Sequence, residues 1–373
     1  LAITVGGISY NFQRAAAMTY NKSKLHKFTI KVDKRLPEGD YQFSLISESI
    51  TPWENDAMSH NGEVREYTTI HVDEEHSLEY VLDSMGLDPS KIVNLKLTGC
   101  IADGSFDYIR QRMTSLEALN LKELRTKNMR LSGPWEDPGR EYGMPEAADD
   151  YIPYGAFENM LSLRYFVFPD HLKGIGVMAF PGTSLCGSLI LPEGVKYIGR
   201  DAFVCYGHKG SMMTGELYIP STVEYIGDNA FGGNDGDLNM CFFTNELVLP
   251  ASMKYLGSGA FIGCSYMTGS IHIPEGLAEL NNAWPAQIGG PIVIPQGVKK
   301  INGIPRGAIG DVYVPEGVEE IGSYAFHATQ HLRNIHLPST LKRIERDAFS
   351  LSGVTHVNMP EGIEIIEEAA FYD

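Results

Sequence analysis

A chain of 373 residues has room for two or three domains, and none of its apolar runs approaches the ~20 residues of a membrane helix. Its 47 acidic and 30 basic residues leave a formal net charge of −17. That balance argues against a general nucleic-acid or anionic-membrane binder, because such binding needs a basic face.

Residues 1–75 read as β structure. Leu1–Val5, Leu25–Val32, Tyr41–Ile46 and Tyr67–Val72 alternate in polarity, and Pro37-Glu38-Gly39-Asp40 supplies a turn between two of them. Short strands without helices predict a small β-sandwich-like domain, complete or partial. The run Lys27–Val32 followed by Ile50-Thr51-Pro52-Trp53 resembles the closing strands of fimbrillin-like surface domains. Asp73-Glu74-Glu75-His76 is a polar hinge. Further on, Leu131–Asp150 holds Gly133-Pro134, Asp137-Pro138-Gly139, Pro145 and Asp149-Asp150, which predicts a long surface loop. Such a loop is as readily a solvated insertion as a binding element.

From residue 151 a phrase recurs. It is cleanest at Leu191-Pro192-Glu193-Gly194-Val195-Lys196-Tyr197-Ile198-Gly199-Arg200-Asp201-Ala202-Phe203. The strand-ending prolines fall at 169, 192, 220, 250, 274, 295, 315, 338 and 360, a period of 20 to 30 residues, which marks a solenoid. Before each proline apolar residues alternate, as at Leu189 and Leu191 or Val312 and Val314, predicting a short strand with one buried face. The proline ends the strand because it has no N–H to donate. Pro-Glu-Gly at 192–194, 274–276, 315–317 and 360–362 suits a type I turn. The following Val-x-x-Ile-Gly-x-x-Ala-Phe turns an apolar edge back under the strand. A single coil cannot cover its own apolar face, so coils must stack. Two coils depart from the phrase: Trp284-Pro285-Ala286 and Ile304-Pro305-Arg306-Gly307-Ala308-Ile309 stand where Ala-Phe is expected.

Stacked strands define an outward surface. Its first column is Val167, Ile190, Tyr218, Val248, His272, Val293, Tyr313, His336 and Asn358; its second is Tyr165, Ser188, Glu216, Glu246, Ser270, Pro291, Asp311, Asn334 and His356. At ~4.8 Å per strand, nine coils span about 38 Å, enough for a protein segment or an oligosaccharide. Tyr218, His272, Tyr313, His336, Glu216, Glu246 and Asp311 are the candidate binding residues, tyrosines flanked by acids being reasonable anchors. Aromatic and β-branched residues also simply suit a pleated surface.

Signs of catalysis or cofactor binding are few. There is no G-x-S-x-G elbow, Walker A loop or H-E-x-x-H, and no cofactor is expected. His71 and His76 are wrongly spaced for a helical zinc pair, and His327, His331, His336 and His356 read as surface histidines, with His336 diagonal to His356. Asp235, Asp237 and Asn239 with Glu246 imitate a calcium loop, but Met240 stands where that loop needs Gly. The five cysteines, Cys100, Cys186, Cys205, Cys241 and Cys264, are an odd number without a C-x-x-C pair, so core packing is expected, with one disulfide between adjacent coils left open.

The repeated [Leu/Ile/Val]-Pro-x-x-Val-x-x-Ile-Gly-x-x-Ala-Phe unit resembles the BspA-like leucine-rich repeats of bacterial surface and secreted proteins, over about 151–373. Ile92–Gly99, a helical Phe106–Met113 and Leu116–Leu121 resemble that family's opening cap, placed with the early loop in 76–150. The resemblance implies a leucine-rich repeat solenoid behind the β-sandwich-like segment. It also implies a non-enzymatic, outer-membrane-anchored or secreted protein that adheres to host matrix or receptor proteins or to other bacteria. The rivals are carbohydrate capture, with Tyr218 and Tyr313 stacking on sugar rings, and a structural spacer with no ligand site of its own. Export itself is not legible, since the sequence starts at Leu1 without a signal peptide.

Overall fold

The computed structural model describes residues 66–133, 145–204, 213–232, 241–269, 271–285 and 288–372, together with the backbone of four strands before them. The chain divides into two compact units, Leu1–Asp56 and Ala57–Asp373. In the first, Ala2–Val5 pairs antiparallel with Ile8–Asn11, and Lys24–Val32 with Phe43–Pro52. The strand expected at 41–46 therefore runs on to Pro52.

The alternating segment at 67–72, grouped above with these strands, belongs elsewhere. Thr68–Val72 pairs in parallel with Asn94–Ala102, which also pairs with Ala118–Asn120 and Leu124–Lys127. Alternation reports that one face is buried and says nothing of which strand lies alongside. Between the first two strands runs the helix Leu78–Ser84, whose free N–H groups are met at its start by the Ser77 hydroxyl, accepting from Tyr80 N at 3.2 Å. Leu78 and Leu82, four apart, are buried beneath it. The helix expected at 106–113 is found at Gly104–Arg112 and buries Phe106 and Ile109. Arg110 bonds Asp107 Oδ1 at 2.6 Å and Gly155 O at 3.0 Å, tying this cap to the first repeat.

From Tyr151 onward the coils meet along three backbone columns. The strands before the prolines form the first. Tyr165–Val167 extends the cap sheet, Leu189–Ile190 pairs with Leu217–Tyr218, and Gly310–Tyr313, Leu332–His336 and His356–Asn358 form a three-stranded run, all parallel. Around 247–249, 271–273 and 292–294 the buried-exposed alternation persists without strand pairing. At the first of these coils the Asn245 side chain replaces the ladder, accepting from Leu217 N and donating to Leu217 O, both at 2.9 Å.

The second column was not anticipated as a sheet. The two residues ending at the repeat isoleucine pair in parallel from coil to coil: Tyr151–Ile152, Gly174–Ile175, Tyr197–Ile198, Tyr225–Ile226 and Tyr255–Leu256 in one sheet. Glu279–Leu280 through Ile365–Ile366 form another. The third column explains the Ala-Phe. The N–H of Phe157, Phe180, Phe203, Phe231 and Phe261 donates to the alanine carbonyl of the next coil at 2.8–2.9 Å. The rings stack behind it: Phe180, Phe203, Phe231 and Phe261 follow at 5.0, 5.5 and 5.3 Å with planes within 8°. Each buried phenylalanine contributes about 1.5–3 kcal/mol from area alone.

In the two departing coils Trp284 and Ile304 fill the gap in that stack, both buried. Trp284 Nε1 donates to Gly303 O at 3.2 Å and Ile304 N to Ala325 O at 3.1 Å, so both positions keep a coil-to-coil bond. The residue before each Ala-Phe takes a left-handed backbone: Met178, Asp201, Asn229, Gly259, Tyr324, Asp347 and Ala369 have φ from 51° to 70°. Asp, Asn and Gly are the residues that tolerate it best. Cys264 packs in the core with its thiol 3.3 Å from Phe231 O, and Cys100 and Cys186 are free thiols, half-buried. Cys205 and the calcium-like fragment at 235–239 lie outside the described residues.

Candidate functional site: the strand face

The first ladder alternates residues that face inward with residues that face outward. Ile271, Ile292, Val312 and Ile335 are buried, while Val248, Val293 and Tyr313 between such positions are 70%, 77% and 66% exposed. His272, His336 and Asn358 are exposed in the same column. Large apolar groups left in water at successive coils form a row that the core does not use.

The ladder sets neighbours within that row. Tyr313 pairs with His336, and His336 with Asn358. The Tyr313 and His336 rings stack at 4.2 Å with planes 5° apart. Asn334 pairs with His356, which puts His336 and His356 on a diagonal. Asn334 Nδ2 donates to Asp311 Oδ1 at 2.8 Å, holding that carboxylate at the margin. Tyr313, His336 and Asp311 thus come together in one three-stranded patch. Tyr218, with Glu216 just before it, lies in a separate two-stranded piece, and His272 and Glu246 sit on coils without strand pairing in this ladder.

Tyr218 differs from the free stacking platform expected of it. It is half-buried, and its hydroxyl donates to Glu193 Oε1 at 2.6 Å. Burial first, and that carboxylate second, push its phenol well above the usual tyrosine range. Both margins of the row are acidic. Glu216, Glu246 and Asp311 stand before it, and Glu193, Glu275, Glu316 and Glu361 follow the prolines, the last four all exposed. Among the described residues no three His, Cys, Asp or Glu gather as a metal-ligand set.

The second ladder presents a surface that sequence reading missed. Tyr197 and Tyr225 stack at 5.0 Å and 6°, and the Lys254 ammonium lies 5.9 Å from the Tyr225 ring centre. Glu224 bridges Lys196 at 3.5 Å and Lys254 at 2.5 Å. Tyr151 leans across Gly174 toward Tyr197, and burial pushes its phenol up to about 12. Rings stacked on one another offer their edges outward, so this ladder holds coils together more than it displays a flat platform. The signal was the tyrosine before the repeat isoleucine at 197, 225 and 255.

The end of the early loop is also firmer than expected. Asp150 is buried and held by Arg125 through Nε at 2.7 Å and Nη2 at 2.9 Å, with Lys173 Nζ at 3.2 Å. A buried carboxylate needs such partners. Residues 134–144 of that loop lie outside the described residues.

Parallel coils with stacked phenylalanines and an outward strand face define a leucine-rich repeat solenoid. The model of the BspA type leucine-rich repeat region matches six copies over residues 150–284 and 307–373, and the chain belongs to that family. The stretch that this match skips, 285–306, covers much of the two departing coils. No curated protein matches the chain. Among solved structures, a leucine-rich repeat protein from Bacteroides ovatus is 20% identical, covering 61% of this chain and 70% of its own at a TM-score of 0.38. The pneumococcal vaccine antigen PcpA is 18% identical over 75% of this chain and 60% of its own, with a TM-score of 0.38. A leucine-rich cell surface protein from Faecalibacterium prausnitzii is 15% identical over 92% and 96%, with a TM-score of 0.24.

Proposed function

We propose that this chain is a non-enzymatic interaction protein of the bacterial surface or its secretions, adhering to protein ligands through the first strand face. Host matrix or receptor proteins, or the surfaces of other bacteria, are the partners this reading names. The observation that carries it is the exposed row Val248, His272, Val293, Tyr313, His336 and Asn358 with acids along both margins. An apolar, aromatic centre with a polar rim is the composition of a protein-binding patch. Repeat solenoids bind along such extended surfaces. The acids would steer a ligand with basic side chains, and steering of that kind weakens with salt.

A carbohydrate ligand is the second reading, and the Tyr313–His336 stack is the observation that favours it. Binding of the purified chain to immobilised matrix proteins and polysaccharides, at low and physiological salt, tests both. Salt-sensitive capture by a protein supports adhesion. Salt-insensitive capture by a polysaccharide that Tyr313→Ala abolishes replaces it with sugar binding. No capture at all leaves a structural spacer.

A further inference from the structure

The coils are not joined equally well along the solenoid. The second ladder runs as two sheets, one ending at Tyr255–Leu256 and the other starting at Glu279–Leu280. Every other junction from Tyr151 to Ile366 keeps its second-ladder pair. At this junction the first ladder is unpaired as well, since neither 247–249 nor 271–273 forms a strand. Both ladders therefore stop at the same place.

Side chains that bind the junction before it are missing here. Glu224 bridges Lys196 and Lys254, but the next residue in that column is Ala278, which has no charge to offer. The tyrosines at 197, 225 and 255 give way to Glu279. Ser252 Oγ donates to Val223 O at 2.6 Å, whereas Pro274-Glu275-Gly276 stands one coil later where Pro250-Ala251-Ser252 stood and has no hydroxyl. The backbone differs in the same way. Lys254 N donates to Glu224 O and Gly257 N to Ile226 O, both at 2.8 Å. At the next junction Leu256 O accepts instead from a side chain, Asn281 Nδ2, at 2.9 Å.

What remains is a corner. Gly259 N donates to Asn282 O and Phe261 N to Ala283 O, both at 2.8 Å, beside that Asn281 bond. Away from it, Leu249, Met253 and Leu256 on one coil and Ile273, Leu277 and Leu280 on the next are buried in the common core. Apolar burial has no preferred direction, while a hydrogen bond weakens steeply when misaligned. Such a junction tolerates a small tilt that a paired ladder resists.

We propose that the solenoid bends at this junction, the coils on either side tilting about the corner formed by Gly259, Phe261 and Asn281. The first ladder lies off that corner, so the tilt changes the spacing between Val248 and His272. On the binding reading above, which this consequence rests on, the strand face adapts its curvature to a ligand.

Double electron–electron resonance on the full chain tests the bend. p-Acetylphenylalanine introduced at Gln111 and Gln330, both exposed, carries spin labels on the two sides of the junction and leaves the native cysteines alone. A second pair, at Gln111 and the exposed Ala251, stays on one side. Gln330 sits about three coils past the corner, ~15 Å at ~4.8 Å per strand, so a tilt of ~10° moves it ~2.5 Å. The spanning pair should give a distance distribution wider than the one-sided pair by about that much. Ala278→Glu sets a carboxylate beside Lys254 in its column and should narrow the spanning distribution towards the one-sided width. Ala278→Gln, of the same shape but uncharged, should leave it wide. Equal widths for the two pairs overturn the proposal, as does a spanning width that Ala278→Glu leaves unchanged. Neither result needs a ligand, so failure here is distinct from failure of the strand-face assignment.

Discussion

Replacing Gly227 by alanine tests how closely the coils stack. A Cβ there would lie 2.5 Å from Arg200 N, 2.9 Å from Arg200 Cα and 2.9 Å from Gly199 C, all of them backbone atoms of the preceding coil. Ordinary contact begins near 3.4 Å. The two coils would have to part by nearly an ångström beside the Gly227 N to Ile198 O bond of 2.8 Å. Forced overpacking of this kind costs about 1–3 kcal/mol. The backbone of Gly227 is not left-handed, so alanine returns about 0.4–1 kcal/mol by restricting the unfolded chain. The net loss is roughly 1–2 kcal/mol, a fall in Tm of about 2–6 °C by calorimetry at this size.

Gly322→Ala is the matched control. It occupies the same place in its coil, but its Cβ would meet only the Asn302 side chain closely, at Oδ1, with the nearest backbone atom, Ile301 O, at 3.3 Å. A side-chain amide can turn away, so a change within about 0.5 kcal/mol is expected. Equal losses for the two variants, or no loss for Gly227→Ala, would refute the stacking geometry.

Other expectations follow from the same columns. Met178 holds a left-handed backbone at φ 53°, and Met178→Gly should raise Tm by relieving about 1 kcal/mol. Phe231→Ala removes a fully buried ring between two stacked neighbours and should cost about 3–5 kcal/mol, several times the cost of Phe371→Ala at the exposed end. The carboxyls of Glu316, Glu319 and Glu224 are held below the usual 4.5, the first by the Ser339 N–H and the others by hydrogen bonds from Lys342 and Lys254. A lowered folded-state value stabilises the fold above the unfolded value and is lost as pH falls through the folded one. Tm should therefore drop as pH goes below 4.5, and Glu316→Gln should flatten that drop.

Much of the solenoid was legible because its signals are stereochemical. Prolines at strand ends, alternation before them and Ala-Phe after them each follow from a hydrogen bond the coil makes or lacks. The outward column was readable for the same reason: its parity is fixed by Leu189, Leu217, Ile271 and Val312 facing inward. The second ladder was not, because two residues such as Tyr225-Ile226 are too few to show alternation. Nor was the fate of Tyr218, whose tether is Glu193, 25 positions away on the neighbouring coil. The substitutes at Trp284 and Ile304 read as breaks because their compensation lies in cross-coil bonds to Gly303 and Ala325. The placement of 67–72 failed on a choice between neighbours that a single strand's pattern does not contain.

The most direct measurement of the central claim compares two variants on the ligand that the binding panel identifies. One carries Tyr313→Ala, His336→Ala and Asp311→Asn on the strand face; the other carries Tyr197→Ala and Tyr225→Ala on the second ladder. Binding by surface plasmon resonance should weaken at least ~10-fold for the first, the usual cost of losing central anchors, and stay within about twofold for the second. Equal affinity of the strand-face variant and the unaltered chain would contradict the assignment of function to that face.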